Sequence, residues 1–169
     1  EIQVKSPSLM KGYLNAPEAT AGTLTPDGWL RTGDLGRVDS RGFIFITGRS
    51  KDLIVTEGGK NVYPEEIEQR FSDSPWIAEV LVLGRGRSEG HSGEDVVALC
   101  HPNFEAIRAA HPGREGDPEF VGSLVRSEVQ RVNKSLPPYM KVVDHRIRDT
   151  EFEKTSTRKI KRFLYKDSF

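Results

Sequence analysis

Five apolar residues, Val121, Val125, Val129, Val132 and Leu136, recur at spacings of four, four, three and four. That rhythm sets them on one stripe of a helix, which needs a sheet or another helix to cover it. Asp117-Pro118 opens this helix with a proline suited to the first turn, and Pro137-Pro138 ends it because neither ring can continue the hydrogen-bond ladder. Upstream lie two short apolar runs, Val80-Leu81-Val82-Leu83 and Val96-Val97-Ala98-Leu99-Cys100. They read as two strands of one buried sheet, joined by a Gly-rich loop from Gly84 to Gly93. Val142 to Ile147 alternates well enough for a final strand, whereas Ala106 to Gly116 has no apolar rhythm and is expected to be an irregular connection.

The N-terminal part, Glu1 to about Thr47, reads differently, as short strands joined by turns. Pro26-Asp27-Gly28 is a strong turn signal, and Ser40-Arg41-Gly42 separates Leu35-Gly36-Arg37-Val38-Asp39 from Phe43-Ile44-Phe45-Ile46 as a hairpin. Such a hairpin brings Asp34 and Arg49 to the same end of adjacent strands. Asp52-Leu53-Ile54-Val55 then reads as a short strand and Glu57-Gly58-Gly59-Lys60-Asn61 as a loop. Pro64-Glu65-Glu66 starts a helix, with proline and acids suited to the unpaired amides and positive dipole end of a first turn. Strands interleaved with two helices from about Lys51 onward give the expected fold class, α+β: a small domain with a mixed or antiparallel sheet packed by helices, preceded by part of a β subdomain. No internal repeat or low-complexity segment interrupts it.

Composition narrows the function classes. The 25 basic and 25 acidic residues cancel to zero formal charge, which argues against a protein built to coat nucleic acid. No run approaches the roughly 18 apolar residues of a membrane helix. The start, Glu1-Ile2-Gln3-Val4-Lys5, lacks the basic and apolar regions of a signal peptide, so the expected setting is cytoplasmic. The lone Cys100 agrees with that setting and, within an apolar run, is expected to be a small buried side chain. Charge is concentrated near the end, in Lys154, Arg158, Lys159, Lys161, Arg162 and Lys166. Taken alone, that run is most simply a solvated tail.

Some residues could carry chemistry. Asp34 follows Thr32-Gly33, and a carboxylate at a strand end offers acceptors for two neighbouring ribose hydroxyls; taken alone, an Asp after Gly is more often a turn residue. Arg49 also follows Thr-Gly and alone would be a surface ion pair. Gly58-Gly59-Lys60-Asn61 lacks the spacing of a nucleotide phosphate loop, but adjacent glycines let something long and thin lie close to the backbone. His91, His101, His111 and His145 have neither paired helical spacing nor cysteine partners, so no metal site and no Ser/His/Asp triad is expected.

Four motifs in order carry a resemblance. Arg31-Thr32-Gly33-Asp34-Leu35, Gly48-Arg49-Ser50-Lys51-Asp52-Leu53-Ile54, Gly58-Gly59-Lys60-Asn61-Val62-Tyr63-Pro64-Glu65-Glu66-Ile67-Glu68 and Lys154-Thr155-Ser156-Thr157-Arg158-Lys159-Ile160 together resemble the acyl-adenylate-forming superfamily of acyl-CoA synthetases, nonribosomal adenylation domains and luciferase. The wording is most similar to bacterial long-chain fatty-acid CoA ligases, AMP-forming enzymes. The resemblance implies that residues 1–50 are the terminal β segment of the N-terminal adenylation domain and residues 51–169 the mobile C-terminal domain. It implies that Asp34 and Arg49 bind the nucleotide, that Lys51 is the hinge, that Gly58, Gly59 and Lys60 line the path of CoA, and that Lys159 is the catalytic lysine of adenylation. Two positions depart from the family pattern: Arg158 stands where Gly commonly precedes the lysine, and Glu153 where Pro commonly precedes the Lys-Thr pair.

The implied reaction activates a fatty acid with ATP to acyl-AMP and passes the acyl group to CoA, with Mg2+ and the missing N-terminal domain of the same chain as further requirements. The fragment alone is then expected to be inactive and to hold no cofactor tightly. Two alternatives remain open: an adenylation domain that loads a carrier protein, and a non-catalytic module whose basic tail binds anions or makes peripheral membrane contact. No nucleic-acid partner is expected.

Overall fold

The computed structural model describes residues 1–87 and 92–169 of the chain; His91 and the middle of the expected Gly84–Gly93 loop lie outside them. The chain divides into two compact units, Glu1–Asp52 and Leu53–Phe169.

In the first unit, β1 (Gln3–Val4) pairs antiparallel with β2 (Leu30–Arg31), and β3 (Asp34–Val38) pairs with β4 (Ile44–Arg49). The β3–β4 hairpin is the one expected from Ser40-Arg41-Gly42: the Asp39 carboxylate accepts from the amides of Arg41 and Phe43, each at 2.9 Å. Not all of the unit is strand and turn. A two-turn helix, α1 (Pro17–Thr23), opens with proline at its start and Glu18 in its first turn. It buries no residue, so no apolar stripe announces it in the sequence. Among the described residues of this unit only Gly48 is buried.

The second unit holds the core. It begins with a hairpin of β5 (Ile54–Val55) and β6 (Asn61–Val62), followed by the single-turn helix α2 (Pro64–Glu68), which tightens into a 3-10 turn at Gln69–Phe71. A three-stranded sheet follows, of β7 (Ile77–Gly86), β8 (Glu94–Pro102) and β9 (Asp144–Ile147). β7 and β8 are antiparallel and β9 runs parallel to β8, so the sheet is mixed with β8 in the centre. The connection from β8 to β9 carries α3 (Phe104–Ala110) and α4 (Pro118–Lys134).

The α4 stripe is buried as its spacing predicts: Val121, Val125, Val129, Val132 and, just beyond the helix, Leu136 all join the core. Asp117 caps the helix, its carboxylate accepting from the amides of Glu119 and Phe120. The segment Ala106 to Gly116, expected to be irregular, is instead helical as far as Ala110. Asn103 caps α3 by accepting from the Ala106 amide, and Ile107 is its one buried residue. One buried residue sets no period, which is why the pattern missed this helix.

The sheet is covered on both faces, as two-residue periodicity allows. Val82, Val96, Ala98 and Cys100 face the core shared with Ile54, Ile67 and the α4 valines. Leu81, Leu83, Val97 and Leu99 face the other way and are covered by Phe152 and Tyr165 from the C-terminal segment, with Ile160 and Phe169 packed at their edge. The basic end of the chain is therefore not a solvated tail. It is a strap across the second face of the sheet.

Candidate functional site

The strap makes one narrow excursion into solvent. Lys154 and Ile160 form a β-bridge, and between them the chain reverses. The Arg158 amide donates to the Thr155 carbonyl at 2.9 Å, the Thr155 amide to the Lys159 carbonyl at 2.8 Å, and the Lys159 amide to the Thr155 hydroxyl oxygen at 3.2 Å. Such a three-residue loop needs a left-handed residue in its fourth position. Arg158 fills it at φ +63°. The departure from Gly noted in the sequence thus leaves the turn intact, with an arginine held in a conformation that costs an L-residue about 1–2 kcal/mol. The other departure, Glu153, supplies something proline cannot: its amide donates to the Tyr165 hydroxyl at 2.8 Å.

Both limbs of the excursion are tied to β7. On the outgoing limb, Lys154 forms a close ion pair with Glu79, and the Glu79 carboxylate also accepts from the Phe152 amide at 2.9 Å. Burial works against the charged Glu79, but the hydrogen bonds from Lys154 and Phe152 outweigh it and hold the carboxyl below its ordinary value. Lys154 is raised in turn by Glu79 and Glu151. On the return limb, Arg162 donates to the Val82 carbonyl at 2.9 Å and to both oxygens of Glu68, at 2.6 and 2.5 Å. Glu68 accepts in addition from the Val82 amide at 2.7 Å. Burial pushes the Glu68 carboxyl up, with Arg162 and the Val82 amide pulling against it.

Between these anchors the Lys159 side chain is exposed and has no hydrogen-bond or ion-pair partner among the described residues. A cavity of about 280 Å³ beside the base of the turn is lined by Glu68, Glu79, Lys154, Arg158 and Ile160, among others.

The residues Gly58, Gly59 and Lys60 sit on a second turn of the same build, between β5 and β6. Here the Gly59 amide donates to the Thr56 carbonyl at 2.8 Å, the Thr56 amide to the Lys60 carbonyl at 3.0 Å, and the Lys60 amide to the Thr56 hydroxyl oxygen at 3.3 Å. Gly59 occupies the left-handed position at φ +67°, and a side chain on Gly58 or Gly59 would meet only open space. This turn is anchored separately. The Val55 amide donates to Glu94 at 3.0 Å, Glu57 pairs closely with Arg87, and Arg87 donates to Asp95 at 2.7 Å.

In the first unit, Arg49 pairs with Asp34 through its Nε at 2.9 Å and donates to the Thr32 carbonyl at 3.3 Å. They are directly paired in the β3–β4 register. More than half of the Arg49 side chain is exposed, so the pair contributes at most about 1 kcal/mol to stability. Lys51 is exposed on the 3-10 turn Ser50–Asp52, next to the division between the units.

The structure thus brings Asp34 to Arg49, and Gly58 and Gly59 to Lys60, while Lys159 stands on its own turn. Sequence reasoning missed Glu68, Glu79 and Arg162. Their pairings span 73 to 94 residues, beyond the reach of any local pattern.

His101, His111, His145 and Cys100 have structural surroundings. His101 shares a 3.0 Å hydrogen bond with the Arg148 carbonyl, His111 packs between Trp76 and Phe120, and burial lowers His145. Burial pushes the Cys100 thiol up to about 12. No helix among the described residues is long and apolar enough to cross a membrane.

Residues 51–169 match the family model described as AMP-binding enzyme C-terminal domain. Among curated proteins, the chain is 38% identical over 162 residues to a long-chain-fatty-acid–CoA ligase of Bacillus subtilis, covering 96% of this chain and 25% of that protein. It is 51% identical over 108 residues to a medium/long-chain-fatty-acid–CoA ligase of Mycobacterium tuberculosis, covering 64% and 18%. Among solved structures, it matches O-succinylbenzoate coenzyme A synthetase from Bacillus subtilis in complex with ATP and magnesium at a TM-score of 0.74 and 29% identity, covering 99% of this chain and 30% of that one. The chain spans about a quarter of the length of the curated relatives it matches.

Proposed function

Because the chain belongs to the AMP-binding enzyme C-terminal domain family, we propose that it is the terminal region of an AMP-forming acyl-CoA ligase, with a fatty acid as the carboxylate substrate. Two relatives named as fatty-acid ligases support the substrate class. The observation that carries the reading is the setting of Lys159. On the strap, Lys154, Lys161 and Arg162 are each engaged by a carboxylate, while the ammonium of Lys159 has no partner among the described residues and projects from an exposed turn with fixed limbs.

In adenylation the carboxylate substrate attacks the α-phosphorus of ATP, which is bound with Mg2+. Two anionic groups must approach closely, and the compact charge of Lys159 between them offsets their repulsion most where they are closest, in the transition state. Asp34 accepts from the ribose hydroxyls of the nucleotide, and Arg49 contacts the same ribose or phosphate region. An exposed Arg49 tethered by one face to Asp34 keeps donors for a ligand.

After pyrophosphate leaves, Lys159 withdraws as the C-terminal unit turns about Lys51, and the Gly58-Gly59-Lys60 turn lines the passage of the CoA pantetheine. Its open glycines present bare backbone to a thin substrate. The thiol then displaces AMP from the acyl-adenylate. The rest of the enzyme covers the first unit, a role supported by the exposure there of Val38, Phe43, Ile44 and Ile46. The parent acts in the cytoplasm.

The test is made in the full-length parent with the two half-reactions assayed apart. Lys159→Ala abolishes acyl-AMP formation from a fatty acid while sparing CoA transfer to supplied acyl-AMP, and Lys51→Pro does the reverse. Equal loss of both half-reactions in either variant contradicts the assigned role. A pantetheinyl carrier protein that accepts the acyl group when free CoA does not would reassign the enzyme to carrier loading.

A further inference from the structure

We propose that Arg162, seated on Glu68, is a positioning residue for Lys159: it locks the return limb of the lysine turn to the outer edge of β7, so that adenylation depends on a pair that touches no substrate. The inference rests on the role given to Lys159 above. β7 lies at the edge of the sheet, hydrogen-bonded among the described strands to β8 alone. An edge strand leaves peptide groups without a strand partner, and those of a buried residue must be satisfied in some other way. At Val82, which is fully buried, Glu68 accepts from the amide and Arg162 donates to the carbonyl. The two side chains then close on each other through a guanidinium that reaches both carboxylate oxygens. The pair thus stands in for a missing strand, and it is itself mostly buried, with side-chain exposures of 15% for Arg162 and 19% for Glu68.

Arg162 lies three residues beyond Lys159. Between them the chain has little freedom: Ile160 is bridged to Lys154, and the Lys161 amide donates to the Glu153 carbonyl at 2.9 Å. Displacing Arg162 therefore shifts the base of the turn and with it the lysine. The Gly58-Gly59-Lys60 turn hangs on other groups, Glu94 and the Arg87–Glu57 pair, and is insulated from that shift. A guanidinium can give Nη1 to the Val82 carbonyl while Nη2 spans the Glu68 carboxylate, whereas the single ammonium of a lysine can reach only part of this seat.

The experiment uses the full-length parent and compares Arg162→Met, Arg162→Lys, Glu68→Gln and Lys159→Ala. Misplacing a reacting group by about 1 Å costs about 10²-fold, so Arg162→Met is expected to lower kcat for acyl-AMP formation about 10²-fold. The KM for ATP and the rate of CoA transfer to supplied acyl-AMP stay within about twofold. Arg162→Lys retains part of the rate, and Glu68→Gln falls between wild type and Arg162→Met. Three results discriminate. If Lys159→Ala leaves adenylation intact, the role of the lysine fails and the inference fails with it. If Lys159→Ala is inactive but Arg162→Met adenylates at the wild-type rate, the positioning role alone is overturned. If Arg162→Met depresses both half-reactions equally, the pair is a general support of the fold and the proposal is wrong. Should Arg162→Met not fold, the ratio of the two half-reactions in Arg162→Lys decides, an unchanged ratio overturning the proposal.

Discussion

The turns that carry Lys60 and Lys159 have the same backbone and different residues at its tightest point. In each, a threonine receives the fourth amide on its carbonyl and the fifth on its hydroxyl, and the fourth residue is left-handed. The turn recurs at Thr25–Trp29 with Gly28 at φ +84°, and at Asp39–Phe43 with Gly42 at φ +87° and an aspartate in place of threonine. Three of these four turns have glycine in the left-handed position; only the one before Lys159 has arginine. The β5–β6 turn has glycine where the backbone needs it and is tied down by Glu94 and the Glu57–Arg87 pair. The strap turn is held by its limbs, which is why it tolerates a residue unsuited to it. Strain of this kind persists where surrounding structure over-determines the conformation, and here Glu79 and Glu68 supply that constraint.

The largest expected effect comes from taking the support away. Phe152, 3% exposed, seats the outgoing limb on the sheet and packs edge-on to Tyr165 at 5.1 Å. Phe152→Ala should destabilise the chain by about 3–5 kcal/mol in urea denaturation. Hydrogen exchange should show the Lys159 amide losing protection before the Lys60 amide; equal loss would mean that the two turns share one support. A smaller effect is expected from Gly59→Val, which places a branched side chain at φ +67°. It should cost about 1–3 kcal/mol and distort only its own turn. The smallest effect belongs to Arg158→Gly. Relief of about 1–2 kcal/mol of strain is offset by roughly 0.4–1 kcal/mol from the freer unfolded chain, so stability should rise by at most about 1.6 kcal/mol. A marked loss of stability would show that the arginine side chain, not the limbs, holds the turn.

The contrast also separates what is legible in the sequence from what is not. The α4 helix, the β3–β4 hairpin and the paired runs of β7 and β8 follow from local rhythm, because many buried residues or a strong turn define each of them. α1 and α3 escape it, having no buried residue and one, respectively. The strap was the least legible element. Lys154 and Arg162 read as part of a solvated basic run because their partners, Glu79 and Glu68, lie 75 and 94 residues earlier, and a one-dimensional pattern cannot pair them. Of the candidate site, Asp34 and Arg49 were legible as a pair from their places at one end of a hairpin. The shared turn beneath Lys60 and Lys159 was not, because Thr-Glu-Gly-Gly-Lys and Thr-Ser-Thr-Arg-Lys have in common only their first and last residues.

The proposed function gives the two like turns, held on separate anchors, two separable duties. The direct measurement is the ratio of acyl-AMP formation to CoA transfer from supplied acyl-AMP in the full-length parent, for Lys159→Ala beside Gly59→Val. Opposite shifts are expected, with Lys159→Ala losing the first reaction and keeping the second, and Gly59→Val keeping the first and losing the second. Ratios that remain at the wild-type value in both variants would contradict that expectation.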